Sequence, residues 1–441
     1  MRSFFVLVIA LLVGQFSFAQ DAAPAADHSG FVQLNTGLSY RMLEPNQDLR
    51  KVNILAHALA DGELGTRSLY IGASLIAIAD FQSANVDSKF GWLMRHPTAS
   101  NQIGDQVSEA VLHSAQLSLT APITSWLAAY MEVLYDPEQS FGAGTITALG
   151  RNQLQLRKGY ILLGDLNKFP IYLALGKMDA PFGQTNSVSP FTSSTMWHAF
   201  GGLGYGAMAT FDKAGFKVSV MAVQGGAQFR ALNAPVEGTD VPSRLNNFVA
   251  DANYTAQIAG KAALKVGVSY VKGSGYCQDW PVTHFSPCED TNPATAFYGD
   301  LTVVDRVELK GSFATTMEVW PGTHNPNAPL DEFDASKVTS LDIGGKFTIN
   351  PNGKIIYALS GEFSNFIAGA AGSPWERQNQ IVVGLSGLVN HSSRLFLEFF
   401  RAGGYVPLNF LSGGNFEDPG MTHSDHDSNT IGLVVGGILT L

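Results

Sequence analysis

Ser340-Leu341-Asp342-Ile343-Gly344-Gly345-Lys346-Phe347-Thr348-Ile349, then Asn350-Pro351-Asn352-Gly353-Lys354, then Ile355-Ile356-Tyr357-Ala358-Leu359-Ser360-Gly361-Glu362-Phe363-Ser364 is the stretch on which the fold turns. Leu341, Ile343, Gly345, Phe347 and Ile349 alternate with Ser340, Asp342, Gly344, Lys346 and Thr348. After the break, Ile355, Tyr357, Leu359, Gly361 and Phe363 oppose Ile356, Ala358, Ser360, Glu362 and Ser364. Successive side chains of a strand point to opposite faces, so each run has one apolar and one polar face. The residues between the runs are those that tight turns demand. Asn247–Ile258 repeats the pattern: Phe248, Ala250, Ala252, Tyr254 and Ala256 face away from Asn247, Asp251, Asn253, Thr255 and Gln257, with Val249 the exception.

Alternation alone also fits a half-buried sheet in a soluble sandwich. The connections separate the two. From Ser68 onward there are about sixteen such segments, and the links between them alternate between short and long. Ala121–Ser125, Gly164–Lys168, Asp212–Gly215, Ile258–Lys261, Asp305-Arg306, Asn350–Lys354 and Asn390–Ser393 are short, each with Gly, Pro, Asn or Asp. Long links lie near residues 84–108, 136–151, 180–202, 227–245, 273–294, 318–337, 367–378 and 403–428. Membrane barrels have this asymmetry, with tight periplasmic turns, long external loops and an even strand number. The expectation is an all-β transmembrane antiparallel barrel over residues 68–441.

Composition agrees. Of 441 residues, 45% are hydrophobic and 15% charged, against about 25% charged in a soluble domain, while mean hydropathy is only +0.08. No run after the N-terminus has the roughly 18 apolar residues of a helical span. Thirty-seven acidic against 27 basic residues exclude a nucleic-acid partner. Residues 1–19 read as a secretory signal: Arg2, the apolar run Phe4–Val13, then Ser17-Phe18-Ala19 before Gln20. The chain is therefore exported, with the bacterial outer membrane as its destination and membrane lipid as a partner.

Charge parity is an independent test. Glu132, Arg157, Asp251, Lys265, Asp300, Glu308, Lys310, Asp342, Lys346, Glu362 and Glu398 all fall on the polar parity of their segments. A Lys or Arg facing lipid at mid-bilayer costs about 2–4 kcal/mol, so these residues are expected in the lumen. Lys158 and Lys177 break the rule. Lys177 is near a segment end, where snorkelling is cheap, and Lys158 requires a shifted register or a bulge. Residues 20–67 do not alternate and form a periplasmic N-terminal segment, within which Pro45–Leu64 carries Leu49, Val52, Leu55, Ala56 and Leu59 at helical spacing. The helix is read as an amphipathic lead-in, with plugging of the barrel mouth or packing on a neighbour as alternatives.

Catalytic patterns are scarce: there is no Gly-x-Ser-x-Gly, His-Glu-x-x-His or P-loop. Neither an enzyme nor a cofactor is expected. His423, Asp425, His426 and Asp427 form a compact cluster in the last long loop; imidazole and carboxylate can ligate transition metals, but an exposed polar loop is the reading adopted. The third long loop, Ala180–Gly202, contains no Lys, Arg, Asp or Glu. Folded inward, it would offer Phe182, Gln184, Asn186, Phe191, Trp197 and His198 as a constriction or solute-binding set. This chemistry suits neutral or mixed-polarity solutes better than anions, which need rings of Lys or Arg. The alternative places its aromatics against the inner wall.

Two patches carry a family resemblance. Leu175-Gly176-Lys177-Met178-Asp179-Ala180-Pro181-Phe182-Gly183 resembles the Gly-Lys/Arg-x₃-Pro-Phe-Gly strand end of several outer-membrane porins. Leu397-Glu398-Phe399-Phe400-Arg401 with Pro407–Asn415 resembles the last hairpin of LbtU-type siderophore porins. Gly436-x-x-Leu439-x-Leu441 is similar to the C-terminal signal of outer-membrane assembly, though that signal more often ends in Phe. The resemblance implies a sixteen-stranded porin, assembling as a homotrimer and passing small hydrophilic solutes. It also brings in uptake of a ferric siderophore through a binding step; a structural or adhesive barrel is the third reading. Residues 20–67 leave no room for the large plug domain of the biggest barrels.

Cys277 and Cys288, the only cysteines, are expected to close one external loop as a disulfide. Reduction is accordingly expected to leave the barrel's mobility on a detergent gel unchanged. Unfolding by dithiothreitol alone would place the two residues elsewhere.

Overall fold

The computed structural model describes residues 30–46, 50–86, 105–135, 154–224, 245–258, 260–276, 291–320, 335–373, 376–405 and 426–441. Among these described residues, three short helices, α1 (Thr36–Leu43), α2 (Lys51–Ala60) and α3 (Thr195–Phe200), accompany seventeen strands. The strands are β1 (Val32–Leu34), β2 (Leu69–Ala84), β3 (Gln106–Thr124), β4 (Leu127–Tyr135), β5 (Leu154–Leu163), β6 (Ile171–Asp179), β7 (Leu203–Lys213), β8 (Phe216–Gln224) and β9 (Leu245–Ile258). They continue with β10 (Ala262–Val271), β11 (Ala294–Val303), β12 (Val307–Thr316), β13 (Thr339–Thr348), β14 (Ile355–Ile367), β15 (Arg377–Val389), β16 (Ser393–Gly404) and β17 (Ser428–Thr440).

Each strand from β2 to β17 pairs antiparallel with its sequence neighbours, and β17 closes on β2 from Thr430↔Ala84 to Thr440↔Ser74. The result is the sixteen-stranded barrel expected from alternation and loop asymmetry. Short turns gather at one end. Lys213 pairs with Phe216 around Ala214 and Gly215, whose φ of 52° and 84° suit a two-residue hairpin turn.

The faces sort as the period requires. Ile343, Phe347, Leu359, Phe363, Ile381, Val383 and Leu385 point outward and are exposed, while Asp342, Ser360, Glu362, Ser364, Gln380 and Val382 between them are buried inward. Trp126, Phe169 and Phe216 stand exposed near the short turns, as aromatic girdles do at an interface. Lys158 is explained by a bulge: Glu132 pairs with Lys158 but Val133 with Leu156, leaving Arg157 as the extra residue. Leu154 and Leu156 face out before it and Ile161 faces out after it, so Arg157 and Lys158 both turn inward. Lys177 does not snorkel. It is 1% exposed, donates to the Leu156 carbonyl at 3.1 Å beside the bulge, and lies 5.6 Å from the Tyr205 ring.

The N-terminal segment departs from the expected lead-in. It contains two helices, and the second begins at Lys51. β1 runs parallel to β2, Val32↔Leu69 to Leu34↔Ile71, on the edge that β17 leaves free below Ser74. Asn35 caps α1 by accepting from Leu38 N at 2.9 Å, and α1 lies against β2, β3 and β17. α2 is buried on nearly every side: Lys51, Val52, Asn53, Ile54, Leu55, Ala56, Ala58 and Leu59. A helix buried on nearly every side belongs in a core, and this one sits against the inward face of the barrel, where Lys51 and Asn53 find partners. Cys277, Cys288, His423, Asp425 and residues 1–19 lie outside the described residues; His426 and Asp427 pair with each other at 2.8 Å.

A closed barrel resists detergent until heated, so unboiled protein is expected to migrate faster than boiled protein. Leu359→Arg, aimed into lipid, should lower the temperature of that conversion by removing about 2–4 kcal/mol. Equal mobility of boiled and unboiled samples would contradict the closed barrel.

Candidate functional site

The interior is built from three parts: the inward wall, the third loop and the N-terminal helices. The loop crosses the lumen. Gly183 N donates to Ser269 Oγ on β10 at 2.8 Å, Gln184 bonds Asp300 on β11, and the Asn186 carbonyl accepts from Lys310 on β12. At the tip, Glu362 Oε2 on β14 accepts from Ser187 Oγ and Val188 N, both at 2.7 Å, and from Ser189 N at 3.3 Å. Glu398 on β16 accepts from Phe191 N at 2.6 Å, Thr192 N at 3.0 Å and Thr192 Oγ1 at 2.5 Å. The return leg donates from Thr195 N to Ser364 Oγ at 3.1 Å and ends in α3, which packs on β12–β15. Two glycines make room for the tip: a Cβ at Gly344 or Gly384 would come within 2.7 Å of Val188 Cγ2 or Pro190 Cδ.

Two of the loop's aromatic rings lie against other rings of the interior. Phe182 and Phe191 are 2% and 0% exposed and pack on Phe200 and Phe396, at 5.8 and 5.3 Å between ring centroids. Gln184 and Asn186 are buried too. The first four members of the expected solute-binding set therefore pack the loop against the wall. Trp197 alone among the set's rings is placed half-buried, and the His198 side chain lies outside the description.

The inward charges come together in pairs. Lys265 reaches Asp300 at 2.5 Å, Lys310 reaches Asp342 at 2.5 Å and Glu362 at 3.9 Å, and Lys346 pairs with Glu308. Lys158 bonds Asp179 at 2.6 Å, and Arg157 stands 3.7 Å from Glu132. Residues that parity did not single out complete the scheme. Arg394 pairs with Glu44 at 3.1 Å and with the Tyr40 hydroxyl, and Lys217 and His57 flank Asp212 at 3.1 and 3.0 Å. Lys51 of α2 pairs with Glu132, which also accepts from Tyr130 Oη at 3.0 Å. Burial pushes the Lys51 ammonium down, to about 7, and the Glu132 carboxylate pulls against that shift.

Exposure within the lumen is one-sided. Inward residues of β2 from Tyr70 to Ala84, and Tyr130, Glu132, Tyr160, Leu162, Tyr172 and Ala174 of β4–β6, are buried. On β9–β13 the short-turn half is wet: Asn253, Thr255, Lys265, Asp300, Thr302, Glu308, Lys346 and Thr348 are half-buried and Gln257 is exposed. A polar vestibule therefore opens at the short-turn end on that side, with Gln184 and Asn186 of the loop bonded to its upper wall.

No protein-family model matches the chain, and no curated protein does. Among solved structures it is similar to the outer membrane channel DcaP of Acinetobacter baumannii, with 12% identity over 85% of this chain and 97% of that one and a TM-score of 0.50. It is also similar to an anion-selective porin from Comamonas acidovorans, with 11% identity over 85% and 99% and a TM-score of 0.51. The fold is that of an outer-membrane porin. At these identities the likeness extends to the fold alone.

Hydrogen bonds to a charged group are worth about 1.5–3 kcal/mol each. Glu398→Ala is expected to speed hydrogen exchange at the amides of residues 187–195 while the barrel strands stay protected. Unchanged exchange in the loop would mean that the carboxylate does not hold it.

Proposed function

We propose that this chain is a porin that passes small hydrophilic or mixed-polarity solutes across the outer membrane by diffusion. The observation that carries the reading is the wet polar vestibule inside a closed lipid-facing barrel, bounded above by an inward-folded loop without charge. Outer-membrane barrels place their short turns in the periplasm, so the vestibule opens toward the periplasm and the loop meets solute arriving from outside.

Pairing of charges argues for weak ion selectivity. A rim of unpaired Lys or Arg would favour anions, but Lys265, Lys310, Lys346 and Arg394 each have a carboxylate partner within 4 Å. These four cations therefore lend no support to the anion selectivity for which the Comamonas porin is named. A binding step for a ferric siderophore is the finer reading. It draws on the LbtU-type resemblance and on half-buried Trp197 as a ring for stacking.

Purified protein in a planar bilayer is expected to give open-channel steps, with a reversal potential near zero in a salt gradient. Absence of steps would sink the porin reading, and a potential near the chloride limit would overturn the weak selectivity. Saturable block by a ferric siderophore, lost in Trp197→Ala, would establish the binding step.

A further inference from the structure

Porin diffusion, if that reading holds, has to pass what occupies the lumen, and the third loop is only part of it. α1 and α2 stand inside the mouth and are tied to the wall around much of its circumference. Lys51 bonds Glu132 on β4, Asn53 Oδ1 accepts from Tyr172 Oη on β6 at 2.6 Å, and His57 lies 3.0 Å from Asp212 on β7. The Ala60 carbonyl accepts from Asn167 at 2.6 Å in the turn after β5, and Glu44 holds Arg394 on β16 at 3.1 Å. The wall makes space for them: a Cβ on Gly72 of β2 would fall 2.9 Å from Ser39 Cβ of α1.

The helices also touch the loop. Asn46 Nδ2 donates to the carbonyls of Ser189 and Phe191 at 2.8 and 3.2 Å, at the loop tip. Arg50, just before α2, donates to the Gly183 carbonyl at 2.8 Å, at the loop's first turn, and its guanidinium is 4.0 Å from Asp251 on β9. Asp251 marks the boundary of the wet side: it is 2% exposed, whereas Asn253 and Thr255 on the same strand are half-buried. Helix, loop and wall meet at this one side chain.

We propose that the N-terminal helix pair and the third loop form a single, two-part constriction. The helices fill the side of the lumen along β16–β17 and β2–β7, and the loop covers the other half of β10–β12, where Ser269 and Lys310 are buried. Solute is left the wet short-turn half of β9–β13, and Arg50 sets selectivity at the join. The helices are a fixed part of the pore, and their contribution to it is steric.

Bilayer conductance of the full chain and three variants tests this. Deletion of residues 31–61, with folding checked by the faster unboiled mobility, should raise single-channel conductance about twofold or more, because a barrel of this strand number left unfilled holds a wide aqueous channel. Arg50→Ala keeps the helices and should raise conductance by a smaller factor while shifting the reversal potential toward cations. Ser39→Cys with Gly72→Cys, in a chain carrying Cys277→Ser and Cys288→Ser, staples α1 to β2; oxidised, it should conduct like the reduced form. Equal conductance of the deletion and the parent overturns the constriction while leaving the porin reading intact. So does an oxidised staple that is silent until dithiothreitol is added, because the helices would then have to leave for current to flow. Silence of every variant, the deletion included, sinks the porin reading and the constriction with it.

Discussion

Backbone N–H and C=O groups that meet hydrocarbon must be paired within the protein, because no water is there to take them. For strands this leaves closure of the sheet as the solution, and the rest of the molecule follows from how closure is made. β17 pairs with β2 as far as Thr440↔Ser74, and Leu441 exchanges backbone hydrogen bonds with Ala73. The edge of β2 below that point would be bare. β1 takes it, in parallel, from Leu69 to Ile71. The strand that covers this edge also fixes the start of the N-terminal segment at the barrel mouth, so α1 and α2 begin beside the lumen and enter it.

Closure with period-two alternation turns a polar face inward, and a buried polar face has to find partners. Two kinds of partner are used. Cations of the wall and of α2 pair with carboxylates of the wall. The third loop has no charge of its own, yet it is held by Glu362 and Glu398 because a carboxylate accepts equally well from consecutive backbone N–H groups. An uncharged loop is thereby fixed by charged residues, and its composition gives no sign of it. The interior also has apolar contacts of the kind found in a soluble core: Phe191 stacks on Phe396 and packs with Ile78, Val382 and Val434.

Strand number and strand limits were legible because alternation and turn chemistry are local. Even the bulge left a sign, since Lys158 fits its segment only with a bulge or a shifted register, and the bulge is what the pairing shows. The destination of the loop and of α2 was not legible. A Phe at an inward-folded tip has the same sequence signature whether it faces water or the wall, and Phe182 and Phe191 took the wall. Pro45–Leu64 read as an amphipathic lead-in because Leu49, Val52, Leu55, Ala56 and Leu59 fall at helical spacing, a pattern that serves equally for plugging the mouth, and nothing in it marks Lys51, Asn53 and His57 as contacts of a wall. Inside a barrel whose wall supplies Glu132, Tyr172 and Asp212, the same three residues are buried or half-buried contacts. The available signal was the glycine at inward strand positions: Gly72, Gly344 and Gly384 leave gaps on the polar face, and each gap is occupied by a side chain from the helices or the loop.

The charge pattern that results has a bearing on transport beyond its net sign. Lys265, Asp300 and Lys310 stand directly opposite one another on successive strands, and so do Glu308 and Lys346. Neighbouring strands are about 4.8 Å apart, well inside a Debye length of roughly 8 Å at physiological ionic strength. Opposite charges at that spacing cancel over the distance at which a passing ion would sense them, so the wall offers no continuous track to either sign. It retains strong local dipoles, with hydroxyls at Thr255, Thr302 and Thr348 and amides at Asn253 and Gln257 beside them. Such a surface solvates polar solutes without favouring a charge, and discrimination falls instead to the passage that the helices and the loop leave open and to Arg50 at their join.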